Sequence, residues 1–158
     1  VAGKTPLSKK SLILNNWQIF LVDSSSRGCI HGDISKSELD WLDLCLSSTP
    51  DGVENTAVCL HHNPQEADAG WAKPIGLHNY SDFFEVLDRH ESVRFVLHGH
   101  IHQERRVMRN SVSYLCTPST CFQFDPKSDC FALDKANPGY RSLTLREDGS
   151  FSTVVNRL

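Results

Sequence analysis

The chain has 158 residues, 39% of them hydrophobic and 22% charged, with a formal net charge of −3. That length suits one domain with a sizeable core, and the composition is ordinary for a globular protein. The small negative charge gives no electrostatic reason to expect nucleic acid or an acidic membrane as partner, and no apolar run reaches the roughly 20 residues of a membrane span.

Val1 is not an initiator methionine, and residues 1–10 have no strong period, so the chain reads as a fragment, a processed product or a trimmed piece. No secretory leader is visible, which makes the cytoplasm the default location. Of the six cysteines, no two show the two-residue gap of a zinc knuckle or redox dithiol. Cys45 and Cys59 fall on apolar faces and read as small core residues.

The apolar runs 11–14 and 17–22 are separated by Asn15-Asn16, a hairpin signal. The second run is almost wholly apolar and is expected to be buried on both faces. A polar loop, 23–28, follows it. Ser35-Lys36-Ser37-Glu38 predicts a reciprocal capping box. Beyond it Leu39, Leu42, Cys45 and Leu46 share one helical face, and the helix is expected to end near Ser47-Ser48. A strand over 56–60 runs into His61-His62. The long loop 63–77, with prolines, glycines and Trp71, has the length of a functional or mobile segment. A second helix starts near Asn79 or Ser81, with Asn79 as its cap and Phe83, Phe84 and Leu87 facing inward.

The strand 93–97 leads to Gly99-His100-Ile101-His102, the most informative feature of the chain. Two imidazoles one residue apart can both reach a site if the backbone turns, and Gly99 permits such a turn or the close approach of a ligand. Downstream, 106–108 and 113–115 flank Arg109-Asn110, and 140–145 and 150–155 flank Glu147-Asp148-Gly149, two further hairpins. The order ββ-α-β-α-β followed by hairpins predicts an α/β sandwich with a partly mixed sheet.

Histidines at two strand ends suggest one metal site at one sheet edge, of the kind borderline ions occupy. Of His61 and His62 one is expected to face the site and the other away, because successive strand residues alternate. Asp23 and Asp33 are weaker ligand candidates. Asp23 reads as closing a loop, and Asp33 as stabilising the next helix start by charge or turn chemistry. His98 reads as structural and His90 as a cation late in a helix; His78 sits at a helix entry and His31 in a loop before Gly32, both weak functional candidates. Cys121 as a nucleophile has less support than the metal reading. Three histidines alone could make a tetrahedral zinc site with an open position, but they supply no carboxylate.

Cys59-Leu60-His61-His62-Asn63-Pro64 and Gly99-His100-Ile101-His102-Gln103 together resemble the C-terminal half of the calcineurin-like metallophosphoesterases. Leu39-Asp40-Trp41-Leu42, the run from Thr117-Pro118-Ser119-Thr120-Cys121 to Phe124, and Pro138-Gly139-Tyr140-Arg141 resemble the bacterial class III 3′,5′-cyclic-AMP phosphodiesterases. The resemblance runs from about Trp17 to Leu158. It implies an α/β fold, the C-terminal part of a four-layer α/β/β/α sandwich, with residues 1–158 as one partial domain. It also implies two divalent metal ions (Fe, Mn or Zn). His61, His100 and His102 match metal positions, with His62 as the alternative to His61. The last histidine of the motif lies near the substrate phosphate, which implies a catalytic role for His102 and substrate contacts for His61 and His102. The family's Asp-x-His and Gly-Asn-His-Asp/Glu motifs are missing, and Gly32-Asp33 lacks the following pattern of its Gly-Asp motif. The full-length form is therefore expected to hydrolyse 3′,5′-cyclic AMP to 5′-AMP, and this chain alone to be inactive or nearly so. The alternatives are a sister enzyme acting on glycerophosphodiesters or other phosphodiesters, and a non-catalytic binding module. In the module reading, an exposed sheet edge could pair with a second copy as a homo-oligomer.

Overall fold

The computed structural model describes residues 10–65, 67 and 70–158. Strands β1 (Ser11–Leu14) and β2 (Trp17–Leu21) form the predicted hairpin, with Asn15 at φ 52° in the turn. Helix α1 (Lys36–Ser47) starts at the N-cap Ser35, whose hydroxyl accepts the Glu38 N–H at 3.2 Å. Only this half of the expected capping box forms. The Glu38 carboxylate accepts the Asp23 N–H at 3.0 Å and pairs with Lys10 instead of turning back to Ser35. A buried carboxylate that finds a tertiary N–H and a cation has no need of the local donor.

Then come β3 (Asn55–Cys59), a 3-10 segment (Gly70–Ile75), α2 (Tyr80–Leu87) and β4 (Val93–His98). Asn79 stands at the N-cap of α2, but its side chain does not cap the helix. Its amide clamps Ile34 instead, accepting the Ile34 N–H at 2.9 Å and donating to the Ile34 carbonyl at 2.8 Å. His90 lies beyond α2 rather than inside it, and its Nε2 is 2.7 Å from Asp43 Oδ1 on α1. The chain continues through β5 (Arg105–Arg109), β6 (Val112–Cys116), β7 (Gln123–Phe124), β8 (Leu133–Asp134), β9 (Gly139–Leu145) and β10 (Phe151–Arg157).

The main sheet has the order β1-β2-β3-β4-β6-β5. Strands β2, β3, β4 and β6 are parallel, and β1 and β5 are antiparallel edges. This is the mixed α/β sheet that the sequence predicts. One face packs on both helices: Phe20, Val58, Val96 and Tyr114 share a core with Leu42, Leu46, Phe83 and Leu87. Phe84 is only half-buried, edge-on to Tyr114 at 5.5 Å. On the other face Trp17, Ala57, Phe95 and Leu115 meet Leu143, Leu145 and Phe151 of the β9–β10 hairpin. Trp17 Nε1 donates to the Arg146 carbonyl at 2.8 Å and fastens that hairpin down.

The described residues thus form three layers in α/β/β order. The hairpin is narrower than the sheet. It leaves an apolar groove of about 460 Å³ along Leu14, Ile19, Cys59, Leu97 and Leu143, and Leu21 is 54% exposed. The expectation that β2 is buried on both faces therefore fails at Leu21, where the second layer stops short. No helix among the described residues is long and apolar enough to cross a membrane.

Candidate metal centre

The four parallel strands end along one edge of the sheet, where open α/β sheets collect ligands. The segments after β3 and β4 run side by side there. Leu60 N–H donates to the Leu97 carbonyl at 3.0 Å, and Gly99 N–H to the His61 carbonyl at 3.0 Å. That pinning brings His61 Nε2 to 3.0 Å from His100 Nδ1.

The turn that presents the second histidine pair is built differently from the expectation. Gly99 does not take a positive φ, and a Cβ there would meet only the His61 carbonyl at 3.9 Å. The histidines themselves carry the left-handed backbone, His100 at φ 66° and His102 at φ 50°. Such a conformation costs an L-residue about 1–2 kcal/mol. The Ile101 N–H closes a tight turn on the Gly99 carbonyl at 2.8 Å. Ile101, fully buried with Ala67, Ala72 and Cys116, anchors the segment between the two strained residues.

Burial, and then the like-charged neighbours His62 and His61, push the His100 pKa down to about 4. Its Nε2 is buried without a hydrogen bond of good geometry. His102 is also shifted down, mainly by burial. Its Nδ1 lies 2.9 Å from the Phe122 carbonyl, which can only accept, so Nδ1 carries the proton and Nε2 keeps its lone pair. Both rings are therefore neutral near pH 7, the form in which imidazole binds a metal.

His61 and His62 separate cleanly. His62 is buried, with Nδ1 2.9 Å from the Ser24 hydroxyl and Nε2 3.1 Å from the Ile30 carbonyl. The carbonyl requires the proton on Nε2, so Nδ1 accepts from Ser24 and neither nitrogen is free. His62 ties the loop after β2 to the end of β3, and His61 is left as the exposed partner of His100. Gly32 packs flat against the same ring, where a Cβ would lie 2.4 Å from His62 Cγ. The Gly32 N–H donates to the Gly76 carbonyl at 3.0 Å, and its own carbonyl accepts the His78 N–H at 2.9 Å, so the backbone cannot retreat. Gly32→Ala is expected to cost about 1–3 kcal/mol in urea unfolding and to shift the His62 ring resonances. An unchanged midpoint would show that the loop yields.

Two ligand atoms, each about 2.1 Å from one ion at a tetrahedral or octahedral angle, stand about 3.0–3.4 Å apart. The His61–His100 separation of 3.0 Å fits that. Among the described residues His61, His62 and His100 form the one group whose ligand atoms lie within 4.8 Å of one another, and no carboxylate joins it. His102 stands outside that group, and its ring lies flat on Phe124 at 4.4 Å and 9°. Asp23 closes its loop as expected. Its Oδ1 accepts the Ser25 N–H at 2.9 Å, and those bonds to Ser25 hold its carboxyl below the usual range. Asp33 is exposed, and its N–H donates to the Ser24 carbonyl. His98 is buried in β4, in keeping with a structural role, and His31 stacks on His78 at 3.8 Å.

The aromatic wall beside these histidines has no motif in the sequence. Trp71 stands edge-on to Phe124 at 5.1 Å and to Phe131 at 5.3 Å. The available signal was three phenylalanines, Phe122, Phe124 and Phe131, in a polar stretch that has no helix or long strand to bury them.

No protein-family model matches the chain. Individual proteins do. The chain is 41% identical over 150 residues to a 3′,5′-cyclic-nucleotide phosphodiesterase of Nostoc sp., which covers 95% of this chain and 56% of that protein. It is 40% identical over 157 residues to a 3′,5′-cyclic adenosine monophosphate phosphodiesterase of Escherichia coli, covering 99% of this chain and 56% of that protein. The chain thus spans about half the length of these relatives. Among solved structures it is similar to a dimetal phosphatase from Danio rerio, over 82% of this chain and 54% of that one, with a TM-score of 0.55 at 18% identity. That likeness is one of fold.

Proposed function

We infer the function from one premise: the chain belongs to the calcineurin-like metallophosphoesterases, with the bacterial 3′,5′-cyclic-AMP phosphodiesterases, and spans about half the length of such relatives. On that premise it is the C-terminal part of a metal-dependent phosphodiesterase that hydrolyses 3′,5′-cyclic AMP to 5′-AMP. The observation that carries the reading is the His61–His100 pair, brought to 3.0 Å from the ends of two parallel strands.

In the reaction the oxygen of water bonds to phosphorus as the P–O3′ bond breaks. One proton of that water ends on O3′, and its oxygen stays on the 5′-phosphate with the second proton, which the phosphate can release to solvent. Two divalent ions, when bound, supply Lewis-acid stabilisation of the phosphoryl charge and lower the pKa of water. In this chain His61 offers Nε2 and His100 offers Nδ1 to an ion. His102 offers its free Nε2 to an ion or to the substrate phosphate, with its orientation set by the Phe122 carbonyl and the Phe124 ring. His62, Ser24 and Gly32 position the His61 backbone. Imidazole ligands suit iron or zinc, and manganese would rely on the carboxylates. The carboxylates that would neutralise the ions come from the remaining length of the protein.

The test compares the 158-residue chain with a form extended N-terminally to the length of its relatives, both supplied with manganese or zinc. Chromatography is expected to show 5′-AMP from the extended form and only background conversion by the chain. Failure of the extended form to hydrolyse cyclic AMP, with other phosphodiesters cleaved, would remove the substrate assignment.

A further inference from the structure

Beside the candidate metal centre lies an open pocket of about 390 Å³, within the usual size range of small-molecule sites. Ile30, Trp71, Ile75, Phe124 and Phe131 wall it, and His100 and His102 complete the lining. We propose that this pocket binds the purine base of the nucleotide substrate. For its substrate class the proposal rests on the phosphodiesterase reading above.

Three observations support it. First, the walls present apolar surface beside a site of chemistry: Ile30 is 70% exposed and Phe131 63% exposed. Isolated exposed hydrophobics need no explanation, but two facing one pocket beside paired histidines do. Second, the aromatic rings are already packed on one another without a ligand. Phe124 is stacked under His102, Trp71 is edge-on to both Phe124 and Phe131, and Phe124 and Phe131 are 5.2 Å apart. Edge-to-face packing at these distances fixes ring orientation. Third, the five walls besides the histidines carry no charged side chain. They suit a flat, neutral heterocycle and carry no charge to hold a phosphate, with the Trp71 indole N–H as their one side-chain donor, whereas the adjoining histidines suit the phosphate end. A nucleotide has both ends, and an aliphatic phosphodiester has only one.

Stacking on aromatic faces tolerates different bases, so the pocket favours bases over no base more than adenine over guanine. The probe is adenosine, which carries the base without a phosphate, with ribose 5-phosphate as its complement. Both are titrated by calorimetry into the 158-residue chain and into the N-terminally extended form. Adenosine is expected to bind, and Phe131→Ala and Ile30→Ala are each expected to weaken it, by roughly five- to a hundredfold for the ring. Ribose 5-phosphate affinity should not follow. Both substituted side chains are exposed, and urea unfolding of each variant confirms that it folds. Adenosine that binds neither form, or binds both substituted proteins as well as the parent, overturns the proposal. Cyclic AMP hydrolysis with adenosine affinity indifferent to both substitutions removes the pocket and leaves the phosphodiesterase. Phe131-dependent adenosine binding without hydrolysis does the reverse.

Discussion

In the N-terminally extended form, His100→Ala is expected to lower cyclic AMP hydrolysis by at least about 100-fold at saturating manganese or zinc. Residues that merely orient a metal ligand are worth about 10–100-fold, and His100 offers the ligand atom itself, 3.0 Å from its partner on His61. The same position is a strained one, at φ 66°. Glycine adopts that backbone without the Cβ clash that alanine suffers. His100→Gly should therefore be as inactive as His100→Ala yet more stable by about 1 kcal/mol in urea unfolding. The pair of variants separates two claims. An alanine variant that keeps a tenth of the parent rate would exclude His100 as a ligand. Equal stability of the two variants would show that the strain is relieved elsewhere. Both outcomes as expected would mean that the fold holds an unfavourable backbone in place because the chemistry requires an imidazole there.

The parts of this molecule legible in the sequence are those fixed by local chemistry. Asn15-Asn16 between two apolar runs gives the β1–β2 hairpin, and the face Leu39, Leu42, Cys45, Leu46 gives the buried side of α1. The histidines after β3 and β4 reach one sheet edge because parallel strands end together, which the order of elements implies. What escaped was decided by tertiary competition. Glu38 and Asn79 each have a good local hydrogen-bond partner in the sequence, and each takes a distant one instead. Whether His61 or His62 is free depends on Ser24 and the Ile30 carbonyl, which approach from a loop more than thirty residues earlier. The aromatic pocket joins Ile30 and Phe131 from two loops with Trp71 from the 3-10 segment, and no period or motif connects them.

Acid should unfold this chain earlier than its carboxylates alone would dictate. Burial, followed by the nearby Arg105 and Arg141 guanidiniums, pushes the His98 pKa down to about 3, and His100 is pushed to about 4. His62 and His102 shift the same way, also through burial first. Unfolded histidines titrate near pH 6.5. Above that pH neither state gains a proton on these rings, and the native state keeps its full stability. Below it the unfolded chain binds protons that the folded chain refuses, so stability falls as pH drops toward the folded values, by up to about 1.4 kcal/mol per pH unit per histidine. His98, almost wholly buried, should show nearly the full slope, a loss on the order of 2–3 kcal/mol between pH 6.5 and 4. The half-exposed His100 and His102 should show less, because water screens them. The carboxylates held below their usual range by hydrogen bonds, Asp43 with His90 and Asp88 with Arg109, act at lower pH and leave this window to the histidines. Urea midpoints measured from pH 7.5 to 4.5 in the presence of a chelator, which removes linkage to metal binding, should fall steadily below pH 6.5. His98→Leu replaces the buried ring with a group that cannot titrate, and the slope should flatten by about 1 kcal/mol per pH unit. A slope that His98→Leu leaves intact would place the acid sensitivity in the other histidines, at the sheet edge.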